Sequence, residues 1–311
     1  MNRDDRIAVC SRSFSKNKIL RDNILSKYKY VKFNDDGIQL VDDVLIEYLE
    51  GYSKIIIGLE KITADIIDQL PELRVVSKYG VGTDMIDMNA LRENNISLGW
   101  KAGINKRAVS ELALCFAIAM LRHVPKAYIE TRNGSFNQFK GNLLTEKTFG
   151  IVGYGNIGKD LINLLQPFKC NILVYDIVEI NFDSDVKNIK QVSLDELLTK
   201  SDLVSLHIPL TDQTRNIIDT DKLSCMQKHS VLINLSRGGL VDEIALKEAL
   251  QSKSIFGAAF DVFSEEPPQD KELLMCSNLL ATPHIGGLAK ESIMAMGFAA
   301  IKGLDENSIP V

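Results

Sequence analysis

The chain has 311 residues, 45% hydrophobic and 25% charged, with 36 Lys+Arg against 41 Asp+Glu for a net charge of −5. That length exceeds the usual single domain, so two domains are expected. The mild acidity, without any dense basic run, argues against nucleic acid or a membrane surface as a partner.

Cysteine usage points the same way. Cys10, Cys115, Cys170, Cys225 and Cys276 are scattered, form no Cys-x-x-Cys pair and make no cluster with histidine at metal-ligand spacing. Reduced thiols, a cytoplasmic location and no metal site are therefore expected. The first six residues lack the apolar core of a signal peptide. The longest apolar stretch, Leu112–Leu121, is too short for a span of about 20 residues.

In chain order, the first hundred residues alternate β-branched runs with amphipathic ones. Ile7–Cys10, Tyr30–Phe33, Lys54–Gly58 and Leu73–Ser77 are predicted strands. Lys16–Tyr28, Val41–Glu50 and Thr63–Leu70 are predicted helices, the last ended by Pro71. Alternation of this kind implies parallel βαβ units. From Lys106 to about His123 the pattern is helical with apolar residues on several faces, which suits a helix buried nearly all round. A second series follows, with strands at Thr148–Gly153, Asn171–Tyr175, Leu203–His207, Val231–Asn234, Phe256–Asp261 and Leu279–Ala281. Helices are expected at Ile157–Gln166, Asp242–Gln251 and Lys290–Leu304.

The first of these later strands runs into Gly153-Tyr154-Gly155-Asn156-Ile157-Gly158. A G-x-G-x-x-G between strand and helix suits a dinucleotide: Gly153 for the tight turn, Gly155 for backbone approach to a pyrophosphate, Gly158 for helix–strand packing. The helix N-terminus favours the anion. The triplet alone is weak, and a structural glycine turn is the alternative. The next strand, however, ends in Asp176, eighteen residues past Gly158. An acid there accepts from ribose hydroxyls and repels a 2′-phosphate, and the following Ile177-Val178-Glu179 offers no cation. NAD is the cofactor expected, in preference to NADP.

Three strand-end loops carry the remaining chemistry. His284 lies between Pro283 and Gly286-Gly287; His123 and His229 read as structural histidines. Arg237 follows Val231–Asn234 and presents a fork suited to a carboxylate, unless it is a helix-start residue paired to Asp242 or Glu243. Glu265 and Glu266 precede Pro267, and spacing does not choose between them.

These segments resemble the signatures of the D-isomer-specific 2-hydroxyacid dehydrogenases, roughly N-x-x-R-G-x-x-V-D, D-V-x-x-x-E-P and P-H-x-G-G. They appear here as Asn234–Asp242, Asp261–Pro267 and Pro283–Gly287. Tyr79-Gly80-Val81-Gly82-Thr83-Asp84, His207–Thr211 and Asn105–Glu111 are also similar, so the likeness covers nearly the whole chain in order. It implies an α/β fold of two Rossmann-like lobes: a flavodoxin-like substrate domain from residues 1–102 plus 285–311, and an inserted NAD-binding Rossmann domain, 103–284, with the active site in the cleft. It implies His284 as the acid–base, Glu266 on its other nitrogen to fix the tautomer and stabilise the imidazolium, and Arg237 on the substrate carboxylate or C2 oxygen. Tyr79, Val81 and Gly82 would line the substrate. His207, Pro209, Thr214, Leu235, Ser236, Asp261 and Gly286 would join Gly153, Gly155, Asn156, Ile157, Gly158 and Asp176 around the cofactor, with Asp261 near its carboxamide.

The resemblance also implies a homodimer through the long helix and a Tyr128–Phe139 arm. The end of the sequence soon after its last helix leads us to expect no C-terminal regulatory domain. Phosphoglycerate-type relatives are expected to carry a basic residue after the strand at Lys54–Gly58, where this chain has Glu60, with Lys61 and Lys78 nearby. Glyoxylate, hydroxypyruvate or sugar-derived acids fit equally. Three other readings stay open: a formate dehydrogenase, against which Glu266 counts because that type has Gln there, a phosphite dehydrogenase, and an NAD(H)-sensing corepressor.

Overall fold

The computed structural model describes residues 5–182 and 188–310; Met1–Asp4, part of the segment read above for a signal peptide, lie outside them. The chain divides into two compact units, Met1–Asn105 with Lys290–Val311, and Lys106–Ala289.

The first unit opens with β1 (Arg6–Val9), α1 (Arg12–Lys16), α2 (Lys18–Leu25), β2 (Tyr30–Phe33), α3 (Asp42–Leu49) and β3 (Lys54–Ile57). It continues with α4 (Ala64–Asp68), β4 (Val75–Lys78), α5 (Met88–Glu93) and β5 (Ser97–Gly99). Of the helix expected over Lys16–Tyr28, Lys18–Leu25 forms, as α2, and a short helix not expected, α1, precedes it. Asn17 takes extended dihedrals and its side chain accepts from Leu20 N, ending one helix and capping the next. All five strands are parallel, in the order β2-β1-β3-β4-β5. β1 and β3 sit centrally, and Ile7, Val9, Ile55, Ile56 and Ile57 are fully buried. Strands covered on both faces read as continuous apolar runs, which is why they were conspicuous in the sequence.

The second unit begins with α6 (Lys106–Leu121) and α7 (Val124–Arg132), then β6 (Thr148–Val152), α8 (Asn156–Leu165), β7 (Asn171–Tyr175), β8 (Ile189–Gln191), α9 (Leu194–Lys200) and β9 (Leu203–Leu206). Next come α10 (Thr220–Cys225), β10 (Val231–Asn234), α11 (Glu243–Ser252), β11 (Gly257–Phe260), α12 (Lys271–Leu274) and β12 (Leu279–Ala281). The final helix, α13 (Lys290–Gly303), returns to the first unit and packs on α2, β4 and β5. The seven strands of the second sheet are parallel, in the order β12-β11-β10-β9-β6-β7-β8. One face is covered by α6 and α8, which bury Phe116, Ala117, Leu161 and Leu165 against Phe149, Ile151 and Ile233.

In each sheet the chain reverses its direction of travel beside its first strand: between β1 and β3 in one, between β6 and β9 in the other. Open parallel sheets leave a crevice for ligands at the carboxyl end of such a switch point. Among the described residues no single helix is long and apolar enough to cross a membrane.

Candidate active site

The glycine loop lies at the β6/β9 switch point. Gly153 has φ +105°, and a Cβ there would sit 2.6 Å from the His207 carbonyl oxygen at the end of β9. Only glycine permits both the left-handed turn and that approach. A Cβ on Gly158 would meet the Gly153 oxygen at 2.1 Å, so α8 packs directly on the turn. At Gly155 the added atom would meet nothing within 4 Å. This residue is the N-cap of α8 and supplies no side-chain cap, so the N–H groups of Asn156 and Ile157 begin the helix beside open space.

Asp176, at the end of β7, takes the Tyr154 amide at 2.7 Å and the Val178 amide at 3.1 Å. It therefore ties the glycine loop to the adjacent strand. His207 places Nε2 2.9 Å from Ser205 Oγ, while its buried Nδ1 has no partner. Burial lowers its pKa to about 4, so the ring is neutral. Open space at Gly155, helix N–H groups, an acid at the ribose position and an orphaned ring nitrogen on His207, whose carbonyl abuts Gly153, fit a dinucleotide. Other expected contacts are more constrained. Leu235 buries its side chain in the core, leaving only its backbone available. Thr214 Oγ1 is turned to the Pro209 oxygen at 2.7 Å, which shapes the exposed loop after β9.

Beyond β10, β11 and β12 the three signature loops meet. His284 Nδ1 lies 2.8 Å from Glu266 Oε2, and the other carboxylate oxygen of Glu266 accepts from Phe263 N at 3.2 Å. Geometry thus selects Glu266 over Glu265. The imidazole is half-exposed (51%). A cavity of about 390 Å³ opens beside the pair, walled by Phe263, Pro267, Leu274 and Pro283.

One carboxylate organises the histidine loop. Asp261, 1% exposed at the end of β11, accepts from Thr282 Oγ1, from Ile285 N at 2.8 Å and from Gly286 N at 2.7 Å. Its backbone oxygen takes His284 N at 2.9 Å, and His284 itself has φ +54°. A left-handed non-glycine residue costs about 1 kcal/mol or more and persists only where its surroundings impose it. These four bonds impose it. Asp261 was expected near the cofactor carboxamide; in the structure both its oxygens are already committed to the loop that carries His284.

Arg237 follows β10. Asn234 folds back to accept from Ser236 N and to donate to the Arg237 carbonyl, and Ser236 Oγ donates to the Leu206 oxygen. Arg237 Nη1 donates to the Ser236 oxygen at 2.7 Å. The acids proposed as simple helix-start partners are used elsewhere: Asp242 caps α11, and Glu243 accepts from Ser264 N at 2.6 Å. Gly238 lies so close to the Phe263–Ser264 peptide that a Cβ would fall 1.9 Å from the Phe263 oxygen. The arginine loop and the glutamate loop are therefore in backbone contact. A guanidinium, a carboxylate-held imidazole and a dinucleotide turn on one sheet edge are the parts for proton and hydride exchange at a carbon bearing oxygen.

The sequence profile described as "D-isomer specific 2-hydroxyacid dehydrogenase, NAD binding domain" matches residues 114–286. The chain belongs to this family. The matched residues 114–286 fall within the 106–289 unit and correspond to the family's NAD-binding domain. Hydroxypyruvate reductase of Thermotoga maritima is 35% identical over 247 residues, covering 78% of this chain and 80% of that one. D-3-phosphoglycerate dehydrogenase of Methanocaldococcus jannaschii is 36% identical over 240 residues, 76% of this chain. The match spans only 46% of that enzyme's length. The crystal structure of a putative family member from Polaromonas sp. JS6 66 superposes with a TM-score of 0.88 at 27% identity, covering 97% of this chain and 96% of that one.

The remaining expected residues belong to the other unit. Tyr79 stacks edge-on against Phe14 with centroids 5.4 Å apart, and the Val81 carbonyl accepts from Trp100 Nε1 at 3.0 Å. Gly80, φ +140°, opens the turn that carries Val81 and Gly82 past the end of β4. Among the described residues no His/Cys/Asp/Glu group is arranged to hold a metal. What sequence reasoning missed is the double use of Asp261 and Asp176 as backbone acceptors. Apart from Val178 N, two residues past Asp176, the bonded partners are 21 to 25 and 22 residues away, beyond any local signal.

Proposed function

We propose that this protein interconverts a small D-2-hydroxy acid and its 2-keto acid, with His284 as acid–base, Glu266 as its positioning partner and Arg237 on the substrate carboxylate. The observation that carries the reading is the 2.8 Å contact between His284 Nδ1 and Glu266. A carboxylate on Nδ1 holds the proton there and leaves Nε2 to take the hydroxyl proton during oxidation, or to return it during reduction. Phe263 N fixes the second oxygen of Glu266, so the imidazolium formed in the reaction meets a carboxylate already in place. Asp261 and the peptides around it hold the ring at its left-handed position, and the fork of Arg237 suits bidentate grip of a carboxylate. Gly155, Asn156, Ile157 and Asp176 would hold the pyrophosphate and adenosine ribose of NAD, and Ser236 and Gly286 line the neighbouring strand ends. NAD, when bound, supplies the carrier that exchanges a hydride with C2. Tyr79, Val81 and Gly82, on the unit built from both chain ends, would receive the substrate carboxylate through backbone N–H groups.

The exposed apolar residues Tyr128, Ile129, Phe136 and Leu143 support self-association through the arm after α6.

The test is NADH oxidation with a panel of glyoxylate, hydroxypyruvate, 3-phosphohydroxypyruvate, pyruvate and 2-ketoglutarate. Turnover that His284→Ala lowers about 1000-fold, within the range for removing a general acid, would support the reading. Tight NADH binding with no keto acid reduced would shift it to an NAD(H) sensor.

A further inference from the structure

At one edge of the seven-stranded sheet β7 and β8 pair as far as Val174 and Gln191, and Val192 N donates to the Val174 oxygen at 2.9 Å. Beyond Tyr175 the two strands part, and residues 176–182 run as a loop without helix or strand. Burial does not hold its middle, since Ile177 is 90% exposed and Val178 64%. Among the described residues, the Asp176 oxygen, the Val178 oxygen and the Ile180 N–H have no main-chain partner. A loop of this kind keeps its shape only if side chains satisfy its backbone.

One side chain satisfies all three groups. Gln191 Oε1 accepts from Ile180 N at 2.9 Å, while its Nε2 donates to the Val178 oxygen at 2.9 Å and to the Asp176 oxygen at 3.3 Å. A primary amide has two N–H donors and one carbonyl, and here each is spent on the same loop. The carboxamide stands in for the strand partner that β8 no longer provides. The far end of the loop is fixed separately: Phe182 packs edge-on against Tyr154 of the glycine turn, centroids 5.3 Å apart. What Gln191 holds is therefore the backbone that carries Asp176. The Asp176 carboxylate in turn bridges Tyr154 N on the glycine turn and Val178 N within the loop.

Resting on the reading of Asp176 as the ribose acceptor, we propose that Gln191 is a positioning residue for the cofactor. It fixes the loop so that the Asp176 carboxylate faces the adenosine ribose, and it thereby sustains the selection of NAD against a nucleotide with a 2′-phosphate. A carboxylate accepts from ribose hydroxyls and repels a phosphate only while its backbone keeps it facing them. A loop released from Gln191 turns the carboxylate aside, which loses the hydroxyl contacts and lifts the repulsion together. The effect is confined to nucleotide binding, because β8 is the edge strand opposite β12, whereas His284 and Glu266 lie beyond β11 and β12.

The experiment titrates NADH and NADPH by fluorescence into the full chain as wild type, Gln191→Met, Asp176→Ala and the double variant, with melting temperature as the check of folding. Methionine keeps the length of Gln191 and removes both N–H donors. Gln191→Met should weaken NADH about tenfold, as for lost hydrogen bonds to a charged acceptor's support, and NADPH by less than about threefold. In steady-state assays the KM for NADH should rise while kcat stays within about threefold. Because Gln191 acts through Asp176, the double variant should bind NADH within about threefold of Asp176→Ala, where independent losses would multiply to about a hundredfold. Should the methionine variant not fold, Gln191→Glu, which keeps the acceptor and loses both donors, repeats the comparison. Losses that multiply, or an NADH-to-NADPH ratio unmoved in the Gln191 variant although Asp176→Ala lowers it, would overturn the positioning role and leave Asp176 as ribose acceptor. Asp176→Ala without effect on either nucleotide would overturn both.

Discussion

Gly238→Ala offers a steric test of the candidate site. Gly238 does not have a left-handed φ, so alanine carries no dihedral penalty there; the cost is entirely that of space. The new Cβ would sit 1.9 Å from the Phe263 oxygen and 2.3 Å from Ser264 N, both backbone atoms. An ordinary carbon–oxygen contact is about 3.3 Å, so the arginine and glutamate loops must part by roughly 1.4 Å. Phe263 N is also the donor that fixes Glu266, so the displacement reaches the carboxylate behind His284. Overpacking of this kind costs about 1–3 kcal/mol in stability. A shift of about 1 Å in catalytic geometry costs roughly 100-fold in rate. The assay is kcat/KM for the best keto acid beside NADH affinity and the melting temperature. Loss of kcat/KM with NADH affinity largely kept is the expected outcome. A variant within about threefold of wild type and melting unchanged would refute the contact as the support of the Arg237–Glu266 geometry.

Asp261→Asn replaces an acceptor of two backbone N–H groups with an amide that must turn a donor towards one of them. Leaving one buried donor unmet costs about 1–3 kcal/mol; melting should fall, and kcat should fall more than KM rises. Asp176→Ala removes the acceptor of the Tyr154 amide and the charge at the ribose end, so NADH affinity should fall about tenfold or more while NADPH loses less, as fluorescence titration would read. His207 gives a pH prediction. Its folded pKa of about 4 lies below the ordinary 6.5, so the unfolded chain binds a proton that the folded one refuses. This makes folding progressively less favourable as pH falls from about 6.5 towards 4, by roughly 2 kcal/mol at pH 5. Urea midpoints of His207→Asn should therefore decline less steeply over that window than those of the wild type.

The signature loops were legible because Arg, Glu and His stand beside glycine or proline directly after buried apolar runs, which is where parallel sheets place ligands. Central strands such as β3, β6 and β10 were visible for the same reason: covered on both faces, they read as apolar blocks. β5 and β8 were not recognised, being three residues each with polar or glycine positions, whereas the equally short edge strand β12 is wholly apolar and was visible. The short α1 before Asn17 was missed because five residues carry too little periodicity; Asn17 then caps α2 through its bond from Leu20 N. His123 and His229 are structural, one with its ring 5.1 Å from Phe256 and the other 3.0 Å from Asp202. The choice of Glu266 over Glu265 needed the loops folded, since adjacent residues differ only in which way the backbone turns them.

The assignment of groups to units has an evolutionary consequence. Arg237, Glu266, His284 and the glycine turn all lie within 106–289, whereas Tyr79, Val81 and Gly82 lie in the other unit. On the proposed reading, changes around Tyr79, Val81 and Gly82 would alter which acid is taken while the proton-handling groups stay untouched. Arg237, on the same reading, ties part of substrate recognition to the unit that handles the proton, so only the contacts at Tyr79–Gly82 are free to vary apart from it.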